Sequence, residues 1–378
     1  MNNVAVFVPG ALGDLRTPYQ VPAITNLITR LSERYRITAY SLIKPDNNRE
    51  TILCGNAVVK FIDARYDDSM LRRILKFRSA FLHDHVHERF ELLHAFWVMP
   101  SGSAALIAGR NADVPTLISA VGGEAASLKH IRYGNMRNPM TKFLTLQTLE
   151  RADAITALTT YQRDHLKKSG LRRMDCSVIP FGIDTQTFSP TGEIPFAPPY
   201  RFLHVSNMNR VKDVATLIRA FHKIVQHADA QLRIVGFDLL DGEPAALVRS
   251  LDLEERVEFL GYIPQHELAT QYRWAHFFLL TSMYEAQAVV VAEAAACGAV
   301  VCGTRVGLLA DLGDAAAICC EVGDHDELAN NVLAVIQHHA QYIRLREASM
   351  KWATEHSITW SAKQFAELYD FIISGNRG

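Results

Sequence analysis

Two carboxylates and a short basic turn are the residues of this chain best suited to chemistry. Glu285 and Glu293 stand with seven residues between them in the segment 281–304, TSMYEAQAVVVAEAAACGAVVCGT. The segment reads as a strand ending near Ser282, a loop through Tyr284-Glu285-Ala286-Gln287, and a helix from about Ala288 that Gly298 stops. Such a loop puts Glu285 at a strand's carboxyl end, where parallel α/β sheets bind their ligands. It also offers the free N–H groups of the first helical turn, around Ala288 and Val289, to an anion such as a phosphate. Glu293 falls about one and a half turns into the helix and leans back toward its N-terminus, so both acids can face one ligand. Carboxylates are good acceptors for sugar and ribose hydroxyls. Glu285 alone also fits a plain surface acid, whereas Glu293, set among Val, Ala and Cys, needs a partner to be tolerated. The basic turn, Asn207-Met208-Asn209-Arg210-Val211-Lys212, follows the apolar run Phe202–Ser206 and precedes a helical pattern. Its guanidinium and ammonium groups suit phosphate oxygens at a second strand tip, although Arg210 also fits a solvated turn.

The elements that would position these residues follow a steady rhythm. Apolar runs at Val4–Val8, Arg36–Leu42, Val58–Ile62, Leu92–Phe96, Thr116–Ala120 and Ala154–Ala157 are separated by helical stretches such as Gln20–Arg34. The second half repeats the pattern. Its strands are expected at Phe202–Ser206, Gln231–Gly236, Val257–Leu260, Phe277–Ser282 and Val300–Gly303. Its helices are expected at Ala215–Gln226, Pro264–Ala275, about Ala288–Cys297 and about Asp326–Gln337. Parallel strands need crossovers, so the alternation implies an α/β fold of two doubly wound, Rossmann-like parallel-sheet domains facing a cleft. The proline-rich stretch Ser189–Tyr200 is the natural linker. It divides the chain into an N-terminal domain of residues 1–188 and a C-terminal domain of residues 189–359.

Composition narrows the classes. At 378 residues, 49% hydrophobic and 21% charged, the chain is neither disordered, collagen-like nor coiled-coil. A net charge of −1 gives no global pull toward nucleic acid. The start, MNNVAVFVPGALGD, lacks a basic n-region and a cleavage site, and no long apolar stretch suggests a membrane span. Six cysteines without CxxC spacing read as reduced thiols of a cytoplasmic protein. The charge is unevenly spread: residues 1–180 hold 24 Lys+Arg against 16 Asp+Glu, while the remainder is acidic. A basic half can face an anionic surface or substrate, or the two halves can simply carry complementary solvated faces.

Several segments share one resemblance. Glu285-x7-Glu293, continued by Ala294-Ala295-Ala296-Cys297-Gly298-Ala299-Val300-Val301, resembles the signature of the retaining glycosyltransferases of family 4, which have the GT-B fold. His94-Ala95-Phe96-Trp97-Val98-Met99-Pro100-Ser101-Gly102, Ala152–Ala157, Val178–Asp184 with Phe188, Val205-Ser206-Asn207 through Lys212, Arg305-Val306-Gly307, Gly323-Asp324 and Trp360 resemble further family segments in the same order. The resemblance implies a metal-independent enzyme, without cofactor, that moves a sugar from a UDP- or GDP-sugar to an acceptor hydroxyl with retention. It implies glycan or glycoconjugate synthesis, a glycan or lipid-linked acceptor held by the basic N-terminal domain, and a helix of about 360–378 crossing back to that domain. By the same resemblance Lys212 and Arg210 neutralise the diphosphate, Glu285 holds the sugar and Glu293 the ribose, and Tyr262 lies near the base. Gly10 and Gly13, in the turn Pro9–Asp14, would form a glycine loop near the donor phosphate, and a plain strand-to-helix turn reads almost the same.

The chain also departs from the family. Asn207 stands where a family arginine is usual, with Arg210 as the candidate substitute. Ala286-Gln287-Ala288 replaces Gly-Phe-Gly. In Ser119-Ala120-Val121-Gly122-Gly123-Glu124, Val121 takes the place of a histidine, while Glu124, with Gly122 and Gly123, keeps an acidic position on the acceptor or sugar side. These departures leave room for a second reading, a catalytically weakened nucleotide-sugar-binding relative acting as sensor or scaffold. An epimerase would want an acid/base set that is not evident. His83-Asp84-His85-Val86-His87 has metal-like spacing yet reads as a solvated helix face. Arg72–Arg78 and Lys129–Lys142 mix basic and apolar residues, a pattern shared by surface helices and by segments resting on the anionic inner face of a membrane.

Overall fold

The computed structural model describes residues 1–13, 21–43, 51–62, 68–192 and 195–375. Short apolar runs form strands, and amphipathic stretches between them form the crossover helices. In the first unit the strands are β1 (Asn3–Val8), β2 (Arg36–Ser41), β3 (Thr51–Cys54), β4 (Ala57–Phe61), β5 (Leu92–Phe96), β6 (Thr116–Ala120), β7 (Ala154–Ala157) and β8 (Cys176–Val178). They make one eight-stranded sheet in the order β3-β4-β2-β1-β5-β6-β7-β8, parallel except for the antiparallel pair β3–β4. Its helices are α1 (Pro22–Leu31), α2 (Met70–Glu88), α3 (Ser103–Ala112), α4 (Pro139–Arg151) and α5 (Thr160–Lys168). The second unit holds β9 (Tyr200–Val205), α6 (Val214–Val225), β10 (Ala230–Val235), α7 (Glu243–Ser250), β11 (Val257–Gly261), α8 (Gln265–Trp274) and β12 (Phe277–Leu280). It continues with α9 (Val289–Ala296), β13 (Val300–Thr304), α10 (Gly307–Ala316), β14 (Ile318–Cys320), α11 (His325–Gln337) and α12 (His339–Glu355). Its six-stranded sheet runs β11-β10-β9-β12-β13-β14.

Both sheets are covered on two faces. Alternate residues of β9, β12 and β13 enter separate cores, Leu203, Phe278 and Val301 on one side and Phe202, Phe277 and Val300 on the other, as strand periodicity requires. In the first unit, Phe7 of β1 stacks on Phe77 of α2 at 4.8 Å.

The division falls between Gly182 and Ile183, earlier than the boundary expected at residue 188. The cause is packing: Ile183 and Phe188 are buried in the second unit's core beside Leu203 and Tyr272. The last helix, α13 (Ile358–Gly375), belongs to the first unit. Its Tyr369 hydroxyl lies 2.6 Å from His94 Nδ1, and its Ser361 hydroxyl donates to the Pro180 carbonyl at 2.9 Å. Residues 376–378 of the expected helix, Gln20 at the expected start of α1, Asp14 of the N-terminal turn and residues 193–194 of the linker lie outside the described residues. Strand β3 is an addition to the expected pattern. It pairs with β4 across the two-residue turn Gly55-Asn56, a hairpin signal that the strand–helix rhythm conceals.

Each unit buries a histidine without access to solvent. His94 bridges Tyr369 and Ser119, while His204 contacts the Leu279 carbonyl at 2.8 Å and Ser206 Oγ at 2.7 Å. Burial lowers their pKa values to about 3 and about 4. Both therefore stay neutral in the folded protein while the unfolded chain takes up protons near pH 6.5, so stability is present above that pH and is lost as pH falls toward 4. His276 of the second unit is buried as well, with its pKa lowered to about 4, so urea unfolding between pH 7 and pH 5 should show the first unit losing up to about 1.4 kcal/mol per pH unit and the second up to about twice that. A stability that does not change over this range would contradict the assignment.

Candidate donor site of the second unit

The carboxyl ends of the neighbouring strands β9 and β12 bring the two predicted constellations together. After β9 the chain makes a single 3-10 turn, Arg210–Lys212, which the Asn209 side chain caps by accepting from the Val211 amide at 3.1 Å. After β12, Thr281 Oγ1 donates to the Asp213 carbonyl at 2.9 Å and the Met283 amide donates to the Val211 carbonyl at 2.8 Å. These bonds lash the loops side by side. Lys212 Nζ then lies 2.5 Å from Glu285 Oε1, and Ser282 Oγ donates to the same oxygen at 2.7 Å. Both charged side chains are largely shielded, 22% and 12% exposed, so water weakens this pair less than a surface one.

Next to the pair, α9 begins at Val289 with no side-chain cap. Its N-cap, Ala288, has φ 69°, a left-handed conformation in which a side chain is unfavourable. Gly307 closes the loop from beneath. A Cβ there would stand 2.8 Å from both Glu285 Cβ and the Gln287 carbonyl, and its φ is +53°. The Leu308 amide completes the contact by donating to the Gln287 carbonyl at 2.8 Å. Ala288→Gly should therefore stabilise the second unit by about 1 kcal/mol in denaturant unfolding, because glycine occupies this region freely. Destabilisation by a similar amount would show that the loop does not hold this geometry.

Glu293 is 3% exposed, beneath the surface rather than on it. Gln265 Nε2 donates to its Oε1 at 2.7 Å and the Tyr272 hydroxyl donates to its Oε2 at 2.8 Å. Burial pushes its pKa up, and the two hydrogen bonds oppose that shift. Tyr262, after β11, stacks on Phe237, after β10, with ring centroids 4.7 Å apart at 19°. Both rings are half-buried and form an aromatic step at the sheet's carboxyl edge. Phe237 and the buried His204 are not singled out by the sequence, where a lone aromatic or histidine in or next to a strand looks like core. Asn207 is half-buried where β9 ends.

Arg210 is not brought to Lys212 and Glu285. Its exposed guanidinium pairs with Glu243 of α7 at 3.0 Å, because the 3-10 turn points it away from Lys212.

In the first unit, Glu124 also differs from expectation. It is 1% exposed, and its carboxylate accepts from the amides of Gly122 at 2.6 Å, Val98 at 3.2 Å and Val121 at 3.4 Å. It ties together the segments after β5 and β6. Burial raises its pKa against the pull of those amides. Gly122 and Gly123 serve packing: a Cβ on Gly122 would stand 2.4 Å from Trp97 Nε1, and one on Gly123 2.9 Å from the Tyr133 ring. Gly10 follows β1, where its carbonyl accepts from Ser41 Oγ at 2.8 Å. Gly13 has φ +88° and its amide donates to Thr25 Oγ1 at 3.2 Å.

Residues 22–187 match the family model described as Glycosyltransferase Family 4, and residues 199–338 match the one described as Glycosyl transferases group 1. The chain belongs to the group 1, family 4 glycosyltransferases. It is 28% identical over 273 residues to N-acetyl-alpha-D-glucosaminyl L-malate synthase of Bacillus anthracis, covering 66% of each chain. It is 27% identical over 265 residues to D-inositol 3-phosphate glycosyltransferase of Kineococcus radiotolerans, 64% of this chain and 60% of that one. The match therefore spans slightly less than two thirds of these relatives. Among solved structures, sucrose-phosphate synthase from Thermosynechococcus elongatus superposes with a TM-score of 0.86 at 18% identity, covering 99% of this chain and 100% of that one. Anabaena HepE in complex with UDP and glucose superposes at 0.76 with 16% identity, over 98% and 100% of the chains. The two parallel-sheet α/β units are thus those of a GT-B fold. No helix among the described residues is long and apolar enough to cross a membrane.

Proposed function

We propose that this glycosyltransferase moves a sugar from a nucleoside-diphosphate sugar to an acceptor hydroxyl with retention of anomeric configuration. The observation that carries the reading is the shielded Lys212–Glu285 pair beside the uncapped start of α9. Lys212 and the first amides of α9, at Ala288 and Val289, stabilise the diphosphate as it departs, doing without the arginine that Asn207 replaces. Glu285, oriented by Ser282 and Lys212, accepts hydroxyls of the sugar. Glu293 takes the ribose by exchanging its bond from Gln265, while Tyr272 holds the carboxyl in place. The Tyr262–Phe237 step receives the base, and UDP is the preferred nucleotide because the Anabaena neighbour is solved with UDP.

In the transfer step the bond from C1 to the diphosphate oxygen breaks and a bond from C1 to the acceptor oxygen forms on the same face. The acceptor's proton passes to the departing diphosphate, so no enzymic nucleophile or metal ion is required. Charge stabilisation and positioning supply the catalysis. The acceptor is a lipid-linked glycan or glycoconjugate held on the first unit, at the cytoplasmic face of an anionic membrane. Six buried, unpaired cysteines fit a reducing compartment.

A thermal-shift screen with UDP-, GDP- and ADP-sugars tests the donor. A ligand at about 100 times its Kd should stabilise the second unit by roughly 2.7 kcal/mol. No stabilisation by any of the three would overturn the reading.

A further inference from the structure

The first unit carries a groove that none of these roles uses. Helices α2, α3 and α4 enclose about 470 Å³ between them. Leu71, Ile74, Leu106, Ile107 and Leu144 supply the aliphatic part of its wall, and Leu71, Ile107 and Leu144 are 65%, 44% and 38% exposed. Within one helical turn of Leu144 on α4, Met140 and Phe143 are both more than half exposed. Scattered exposed apolar residues are ordinary, but a contiguous set around a groove marks an interaction site.

Charge narrows what can fill it. Arg110 and Arg151 are exposed at the groove, no carboxylate lines it, and neither arginine has an ion-pair partner among the described residues. Nearby, Arg72 and Lys76 share Asp68 at 2.9 and 3.9 Å, which partly cancels them. The half of the chain that carries the groove holds 24 basic against 16 acidic residues over positions 1–180. A second copy docked symmetrically would set arginines against arginines. An apolar trough flanked by unpaired cations fits a chain with an anionic head.

We propose that this groove seats an acyl chain of an anionic phospholipid, with Arg110 and Arg151 against the lipid phosphate, and so docks the first unit on a bilayer. Docking serves the lipid-linked acceptor proposed above and rests on that reading for its purpose, although vesicle binding is measured without donor or acceptor.

The test is flotation of the full chain with vesicles of phosphatidylcholine alone and of phosphatidylcholine with phosphatidylglycerol. The protein should float with the anionic vesicles and release them as salt rises, since the screening length falls from about 10 Å at 0.1 M to about 3 Å at 1 M. Arg110→Gln/Arg151→Gln should weaken vesicle binding about 30-fold, each cation contributing about fivefold near an anionic surface. Leu71→Ser/Ile107→Ser should weaken it about tenfold or more through lost apolar burial. Both variants replace exposed side chains, and unchanged unfolding transitions and UDP affinity would confirm that they are folded. Equal flotation of wild type and both variants, or no flotation of the wild type, would overturn the proposal. A dimer in light scattering that the same variants dissociate would overturn it too, making the groove an interface between copies. Flotation without any nucleotide-sugar binding would instead leave the groove standing and remove the transferase reading.

Discussion

Lys212→Ala is expected to weaken binding of UDP by roughly 10- to 150-fold while leaving uridine almost untouched. The expectation rests on a charge-assisted contact being worth about 1.5–3 kcal/mol when partly desolvated. Lys212 is only 22% exposed and is held beside α9 by the two lashed loops, so its ammonium is positioned before any ligand arrives. Removing it also leaves Glu285, 12% exposed, without its cation beside an incoming diphosphate. Calorimetry with UDP and uridine separates the phosphate from the nucleoside. Equal losses for both would show that Lys212 does not meet the diphosphate. Arg210→Ala serves as the internal comparison. Its exposed bond to Glu243 predicts a change in UDP affinity within about twofold, since such surface pairs contribute at most about 1 kcal/mol and this one does not reach the site.

The paired acids should separate by kinetic parameter. Glu285→Gln is expected to lower kcat about 10²- to 10³-fold with a smaller effect on donor KM, because its contacts strengthen as charge develops on the sugar. Glu293→Gln is expected to raise donor KM about tenfold with kcat nearly kept, because a ribose contact is the same in ground and transition states. Initial rates at varied donor concentration decide between them. If both variants keep wild-type rates at all concentrations, the two acids are structural.

The contrast between Glu285 and Glu293 also shows how far the sequence reaches. Strand-tip placement made Glu285 and Lys212 separately visible as candidate ligands, but their contact spans 73 residues of sequence and depends on β9 and β12 being neighbours. The alternation of apolar runs and amphipathic helices does not specify that order. For Glu293 the need for a partner was legible from its apolar surroundings. Which donors meet it, Gln265 and Tyr272, depends on how α8 packs on α9. Glu124 shows the opposite limit. An acid after two glycines looks like a loop carboxylate facing a ligand, whereas three backbone amides turn it inward. By its distance along the chain Arg210 reads as a substitute guanidinium, and a single 3-10 turn sends it toward α7. Phe237 carries no signal until β10 and β11 are paired and Tyr262 stands beside it. The fold itself was legible because its determinant, the repeated switch between strand and helix periodicity, is local. The short edge strands β3, β8 and β14 were not.

The most direct test of the central claim is the anomeric configuration of the first-formed product. The sugar-nucleotide that stabilises the second unit would be incubated with the enzyme, with water or an added lipid-linked glycan supplying the acceptor hydroxyl, and followed by time-resolved proton NMR of the anomeric signals. Transfer guided by Lys212, Glu285 and the start of α9, with the acceptor entering on the face the diphosphate leaves, predicts that the donor's anomeric configuration appears first. An inverted first product would contradict the account, as would a donor that binds but is never cleaved.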